Sequence, residues 1–307
     1  MVKKVIGALI LGLLIVSVVI AAVVGAGRGP VERSLPGGGK VGIVHIHGII
    51  TSEGVGGGPF GGGTAGISGV LEAFRRAEED PGIKAVVIRV DSPGGTAAAS
   101  QEVAQAVARV KKAGKKVVTS MGDMAASGAY WIAADSDRIF ANPATITGSI
   151  GVLIQTVELT GLYGKLGIDW ETFKSGPHKD MGSASRPLTP EERAIFQAMV
   201  DDIYDQFVDR VARGRGMARD EVLTLADGRV FTGRQAKEAG LVDELGDLRD
   251  AVRYAGEIAG IEGKPEVVNL GPQRLFWERL FGDISNRAFF LPDMLPAWLL
   301  CPAVIQR

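Results

Sequence analysis

A single cysteine, Cys301, leaves this 307-residue chain with no way to form an intrachain disulfide. That residue lies near the C-terminus, away from every histidine, so thiol catalysis has no support in the sequence. Histidine is almost as scarce: His45, His47 and His178 are the whole supply. There is no Gly-x-Ser-x-Gly elbow for His178 to serve, and no Ser–His–Asp triad is visible. His45 and His47 lie two apart on a strand pattern and share a face, but no third ligand accompanies them, so no metal is assigned. Neither sign of charge dominates. The 34 Lys and Arg nearly cancel the 35 Asp and Glu, which gives a net charge of -1. A basic field for nucleic acid and an acidic solvating tail are both absent. The Gly-rich run from Gly54 to Gly66 has no Gly-Lys-Ser/Thr after it, so it reads as a surface loop rather than a phosphate cradle.

What is present begins with an apolar run from Val5 to Val24, preceded by Lys3 and Lys4. Twenty helical residues span about 30 Å, the thickness of a bilayer's hydrocarbon core. The run exceeds the apolar stretch of a cleaved signal peptide. It is therefore read as one transmembrane helix whose lysine-bearing end stays cytoplasmic, which sends the rest of the chain outside. The expected organisation is an anchor over 1–27, a linker over 28–40, a catalytic domain over 41–262 and a tail over 263–307. In the tail Leu275, Phe276, Leu280, Phe281 and Ile284 recur at helical spacing, so it is expected to be amphipathic.

Within the domain, unbroken apolar strands alternate with helices. Strands are expected at Val41–His47, Lys84–Val90, Lys116–Ser120, Ile139–Phe140, Gly151–Gln155 and Trp170–Lys174. Helices are expected between them, among them Ile67–Glu79, Ala98–Lys112 and Ala125–Ala134. This pattern predicts an α/β domain with a largely parallel, buried sheet. Thr189-Pro190-Glu191-Glu192 has the parts of a capped helix start, with Thr189 as N-cap, Pro190 at the first position and Glu192 closing a capping box.

Two segments offer acyl-transfer chemistry. Ser127, in Met124-Ala125-Ala126-Ser127-Gly128, follows a strand and opens a helix among small neighbours; the competing reading is a plain serine N-cap. Asp91-Ser92-Pro93-Gly94-Gly95 also closes a strand before a helix, and its bare N–H groups, with that of Gly128, could receive an oxyanion. Together with Thr147-Gly148-Ser149-Ile150-Gly151, Lys174-Ser175-Gly176-Pro177-His178-Lys179-Asp180 and Asp227-Gly228-Arg229-Val230, these segments resemble the short, single-repeat form of the signal peptide peptidase A (SppA) family of serine proteases. The match runs over roughly 41–247. It departs from the family pattern at Ala129, where glycine is more usual.

The resemblance implies a crotonase/Clp-protease-like fold of repeated ββα units and a Ser–Lys dyad. It assigns Ser127 as nucleophile, Lys179 as general base, Gly95 as oxyanion donor and Ser149 as the hydroxyl that orients the lysine. It also implies peptide substrates such as cleaved signal peptides, a site shared between chains of a ring or dome, and no cofactor. Alternatives are an anchored Ser–Lys protease acting on a membrane scaffold protein, a crotonase-fold hydratase or isomerase of acyl-coenzyme A, and an inactive interaction protein. A lysine used as a base must shed its proton from an ordinary pKa of about 10.4, which takes an apolar setting free of carboxylates. Asp180, next to Lys179, is therefore expected to point away from it.

Overall fold

The computed structural model describes residues 39–53 and 66–271, all within a unit that starts at Gly39. The expected anchor, the loop over 54–65 and the amphipathic part of the tail lie outside the described residues. Among the described residues no helix is long and apolar enough to cross a membrane.

Strands β1 (Lys40–His47) and β2 (Ile83–Ser92) pair in parallel, with helix α1 (Ser68–Glu79) crossing between them. Helix α2 (Ala97–Lys112) leads from β2 to β3 (Lys116–Ala126). Side chains of β2 alternate between two cores. Val86, Ile88 and Val90 meet Phe74 of α1 and Val103 and Val107 of α2. Ala85 and Val87 face the other way, against Ala251 and Ala255 of helix α8 (Leu248–Ile258). A parallel strand covered on both faces has no solvent side, which is why these strands read as continuous apolar runs. Burying each Val or Ile contributes roughly 1.5–3 kcal/mol.

The first half of β3 pairs with β4 (Arg138–Ala141) and the second half with β5 (Ile146–Gly148). Beyond β5 lies β6 (Val230–Thr232), the antiparallel member of an otherwise parallel sheet. The order is β6-β5-β3-β2-β1-β8, where β8 is Glu266–Asn269 and β7 (Glu244–Leu245) pairs with β4. A mostly parallel sheet in an α/β fold is what the pattern predicted.

Two expected strands are absent. The segments 151–155 and 170–174 are irregular, with Leu153 74% and Phe173 88% exposed. Neither segment pairs with a strand among the described residues, and the sheet ends at β6, which is paired to β5 alone. The helix expected from Ala125 starts later, as α3 (Gly128–Ala133), because β3 stays paired to β2 and β5 through Ala125 and Ala126. That delay places Ser127 at the joint. Helix α4 (Thr160–Leu166) interrupts the exposed segment, and the long helix α5 (Pro190–Arg215) starts at the expected Thr189–Glu192 capping box and ends at Gly216 in the left-handed region. Helices α6 (Arg219–Leu225) and α7 (Gly233–Glu238) complete the described set.

Candidate active site

The carboxyl ends of three adjacent parallel strands, β2, β3 and β5, converge on one cavity of about 720 Å³. This is the edge of an open α/β sheet where ligands bind as a rule. Ser127 follows β3, Gly94 and Gly95 follow β2, and Ser149 follows β5. Gly95, Ser127, Gly128 and Ser149 all line the cavity.

Ser127 has φ 53 and ψ -123, and Ser149 has φ 50; among the described residues these are the two non-glycine positions with positive φ. Such a backbone costs on the order of 1–3 kcal/mol and persists where the surroundings enforce it. Here the enforcement is visible. Ser127 N–H donates to the Gly148 carbonyl at 2.8 Å, and Ser149 N–H donates to the Arg229 carbonyl at 2.8 Å. Although Ser127 sits at the N-cap position of α3, its side chain makes no capping hydrogen bond. The N-caps Thr189, Thr232 and Asp247 do cap, each within a full capping box. The Ser127 hydroxyl is thus not spent on its helix, and the plain N-cap reading fails.

The glycines fit by necessity. At Gly94 φ is +100, and a Cβ there would lie 2.7 Å from Gly128 N and 2.9 Å from Ser127 Cβ. A Cβ on Gly95 would collide with the Ile50 carbonyl oxygen. One on Gly128 would strike Ser100 Oγ and stand 3.2 Å from Gly95 N. The backbone nitrogens of Gly95 and Gly128 therefore lie close together beside Ser127 on the cavity wall, where side chains at Gly94, Gly95 or Gly128 would not fit. Gly128 N–H is moreover an orphan donor of the first helical turn. Ser92 Oγ accepts the Gly94 N–H at 3.0 Å and holds the turn that carries Gly95.

Much of the remaining lining is apolar. Trp131 and Phe207, with ring centroids 4.7 Å apart, wall it from α3 and α5, and Tyr204, Leu153, Ile154 and Ala97 extend the lining. None of these was singled out from the sequence. Ile203, Tyr204 and Phe207 follow the ordinary spacing of a core-facing helix, so pattern does not separate a pocket wall from a core contact. Asp227 and Gly228, inside a segment that carried the resemblance but had no assigned role, also line the cavity. His45 Nδ1 and His47 Nε2 stand 3.3 Å apart with no third ligand, and among the described residues no cluster of three metal-ligating side chains occurs.

Lys179 is not brought to this cavity. It is exposed on the irregular turn after Gly176, with its N–H donating to the Gly176 carbonyl at 3.3 Å. Asp180 turns its carboxylate to Arg186 and to Lys174 Nζ, the latter at 2.8 Å. The expectation from sequence was that this side chain points away from Lys179. Arg186, paired to both Asp180 and Glu192, holds the Asp180 carboxyl well below the ordinary carboxylate range. It also brings the Glu192 carboxyl down to about 2.

Both folded pKa values are depressed, so the stability these carboxylates contribute is complete above about pH 5 and fades as pH falls from about 4.5 toward 2. Glu192→Gln is accordingly expected to lower the melting temperature at pH 7, with the difference from wild type shrinking as pH approaches 2. Melting curves across that range check this, and a difference independent of pH would refute it.

A serine freed from capping, on a strained strand–helix joint beside the backbone nitrogens of Gly95 and Gly128, has the parts that a serine hydrolase's nucleophile and oxyanion hole require. Residues 109–262 match the family model described as Peptidase family S49. A Synechocystis sp. protein named as a protease is 45% identical over 218 residues, covering 71% of this chain and 78% of that protein. An Enterococcus faecium protein named as the signal peptide peptidase SppA is 44% identical over 182 residues, covering 59% of this chain and 53% of the relative. The chloroplastic serine protease SPPA of Arabidopsis thaliana is 37% identical over 227 residues, covering 74% of this chain and 32% of the plant protein. The chain thus spans about half of the second relative and a third of the last. It belongs to peptidase family S49 and is an SppA-like serine peptidase.

Proposed function

We propose that this protein is a membrane-anchored endopeptidase in which Ser127 and Lys179 form the catalytic dyad. In this reading it degrades cleaved signal peptides and other membrane-associated or unfolded peptides on the extracytoplasmic side. The observation that carries the reading is the conformation of Ser127: a strained, uncapping serine whose joint lies against the adjacent N–H groups of Gly95 and Gly128. As the neutral Lys179 amine takes the hydroxyl proton, Ser127 Oγ attacks the scissile carbonyl. The oxygen, now negative, is received by the N–H groups of Gly95 and Gly128. Collapse expels the amine of the leaving peptide, which takes the proton from the Lys179 ammonium, and water then hydrolyses the acyl-serine by the same route. Ser149, on the cavity wall, supplies the hydroxyl that orients the lysine.

Apolar walls at Trp131, Phe207 and Leu153 suit substrates with apolar side chains, as in signal peptides. The Val5–Val24 run supports the anchor, and the relative named as a signal peptide peptidase supports the substrate class. Lys179 would reach the cavity from a neighbouring chain. The apolar side chains exposed over 153–173, Leu153, Val157, Leu162, Leu166, Trp170 and Phe173, form the kind of surface that another subunit covers. The crotonase-like kinship is consistent with the parallel sheet and with glycine N–H groups at its carboxyl edge.

The test is covalent labelling by a fluorophosphonate reagent in the full chain. Ser127 is expected to be labelled, and Ser127→Ala to abolish labelling. A label that persists in the folded variant would remove Ser127 as the nucleophile.

A further inference from the structure

The turn that carries Lys179 is tied to the start of α5 through Arg186, and Lys174 Nζ also donates to the Pro177 carbonyl of the turn at 3.1 Å. Arg186 uses all five of its guanidinium N–H donors there. Nε and Nη2 donate to the Asp180 carboxylate at 2.9 and 2.6 Å. Nη1 and Nη2 donate to the Glu192 carboxylate at 2.9 and 2.6 Å, and Nη1 also donates to the Pro187 carbonyl at 3.1 Å. Glu192, 1% exposed, is itself fixed in the first turn of α5, where its carboxylate accepts the Thr189 N–H at 3.0 Å. A planar fork that holds two carboxylates at once fixes both distance and orientation, which a lysine ammonium does not. The connection therefore runs from a buried helix start, through Arg186, to the residue adjacent to Lys179.

The clamp has an electrostatic consequence as well as a geometric one. The groups around the turn are His178 and Asp180 on it, Lys174 before it, Arg186 after it, and Glu191 and Glu192 on α5. Glu192 is engaged by Arg186. Glu191 stands 3.5 Å from His178 Nε2. Asp180 is the carboxylate adjacent in sequence to Lys179, and its oxygens are taken by Arg186 and Lys174. Lys174 holds only Oδ1, so without Arg186 the Oδ2 atom would be free to pair with the Lys179 ammonium and hold the proton there.

We propose that Arg186 is the positioning residue for Lys179: by clamping Asp180 to the buried Glu192 it aims the lysine turn and keeps the adjacent carboxylate from stabilising the charged amine. This role rests on the reading of Lys179 as the general base. An opposite charge at close range favours the charged form of its partner by about one to three pH units. Loss of the clamp should therefore move the rising limb of the kcat/KM profile toward alkaline pH, besides lowering the plateau.

The experiment compares full-length wild type, Arg186→Ala, Arg186→Lys, Arg186→Ala/Asp180→Asn and Lys179→Ala on a fluorogenic peptide across pH 6–11, with folding checked by circular dichroism. The expected result is a limb raised by about one to three units in Arg186→Ala, raised less in Arg186→Lys, and returned to the wild-type position in the double variant, whose plateau stays low. If Arg186→Ala does not fold, Arg186→Lys carries the same comparison, and Arg186→Lys/Asp180→Asn replaces the double variant. A limb that stays in place while Lys179→Ala is inactive overturns the role of Arg186 and leaves the dyad standing. So does a limb that moves but is not restored by Asp180→Asn. Activity in folded Lys179→Ala overturns the dyad, and the role of Arg186 with it.

Discussion

Ser127→Ala should reduce peptide-bond cleavage by roughly a millionfold, the scale on which removal of a serine nucleophile acts, while leaving the fold intact. Both halves of that result come from the same geometry. Alanine keeps the Cβ that fits the joint between β3 and α3, and the Ser127 N–H retains its bond to the Gly148 carbonyl. The lost hydroxyl makes no capping bond, so the cost of about 1 kcal/mol that usually follows removal of an N-cap does not arise. Lys179→Ala should fall to a similar level, since a serine without its base is a weak nucleophile. Casein or peptide turnover and a melting curve on each variant make the check. Turnover near the wild-type rate in either folded variant would dismantle the dyad.

Much of this site could be read from sequence because its parts are local. The apolar runs of β1 and β2, the capping box at Thr189–Glu192 and the glycines after β2 each depend on neighbours a few residues away. The segments that carried the family resemblance placed Ser127, Gly95, Gly128 and Ser149, and the fold gathers those four at one sheet edge. What escaped is non-local. Strands β5 and β6 are three residues each, too short for periodicity, and exist because residues 146–148 meet residues 230–232. The apolar residues at 151–155 and 170–174 looked like strands, since an apolar run does not reveal whether a partner strand will lie beside it. Glu192 was legible as the end of a capping box, whereas its bond to Arg186 was not, because an arginine in an irregular segment has no pattern to announce its partner. The strain at Ser127 likewise depends on the pairing that carries β3 through Ala126, which no local rule specifies.

Mixing two inactive proteins, Ser127→Ala and Lys179→Ala, should restore about one quarter of wild-type activity after dissociation and random reassembly at equal amounts. The figure follows from the placement of the two residues. Ser127 lines the cavity at the sheet edge, while Lys179 is exposed on a turn that does not line it. The chain between them carries Leu153, Val157, Leu162, Trp170 and Phe173 into solvent, a surface expected to be covered on association. If each site takes its serine from one subunit and its lysine from the next, one interface in four pairs an intact Ser127 with an intact Lys179. The same fraction holds for a closed ring and for a two-fold pair, so the expected value does not depend on the number of subunits. If instead serine and lysine of one chain served each other, every site in the mixture would carry a defect and no activity would return. Light scattering or native mass spectrometry establishes that the variants co-assemble. With co-assembly established, silence in the mixture would reject the shared site and leave a dyad closed within one chain, reached by movement of the 151–189 segment.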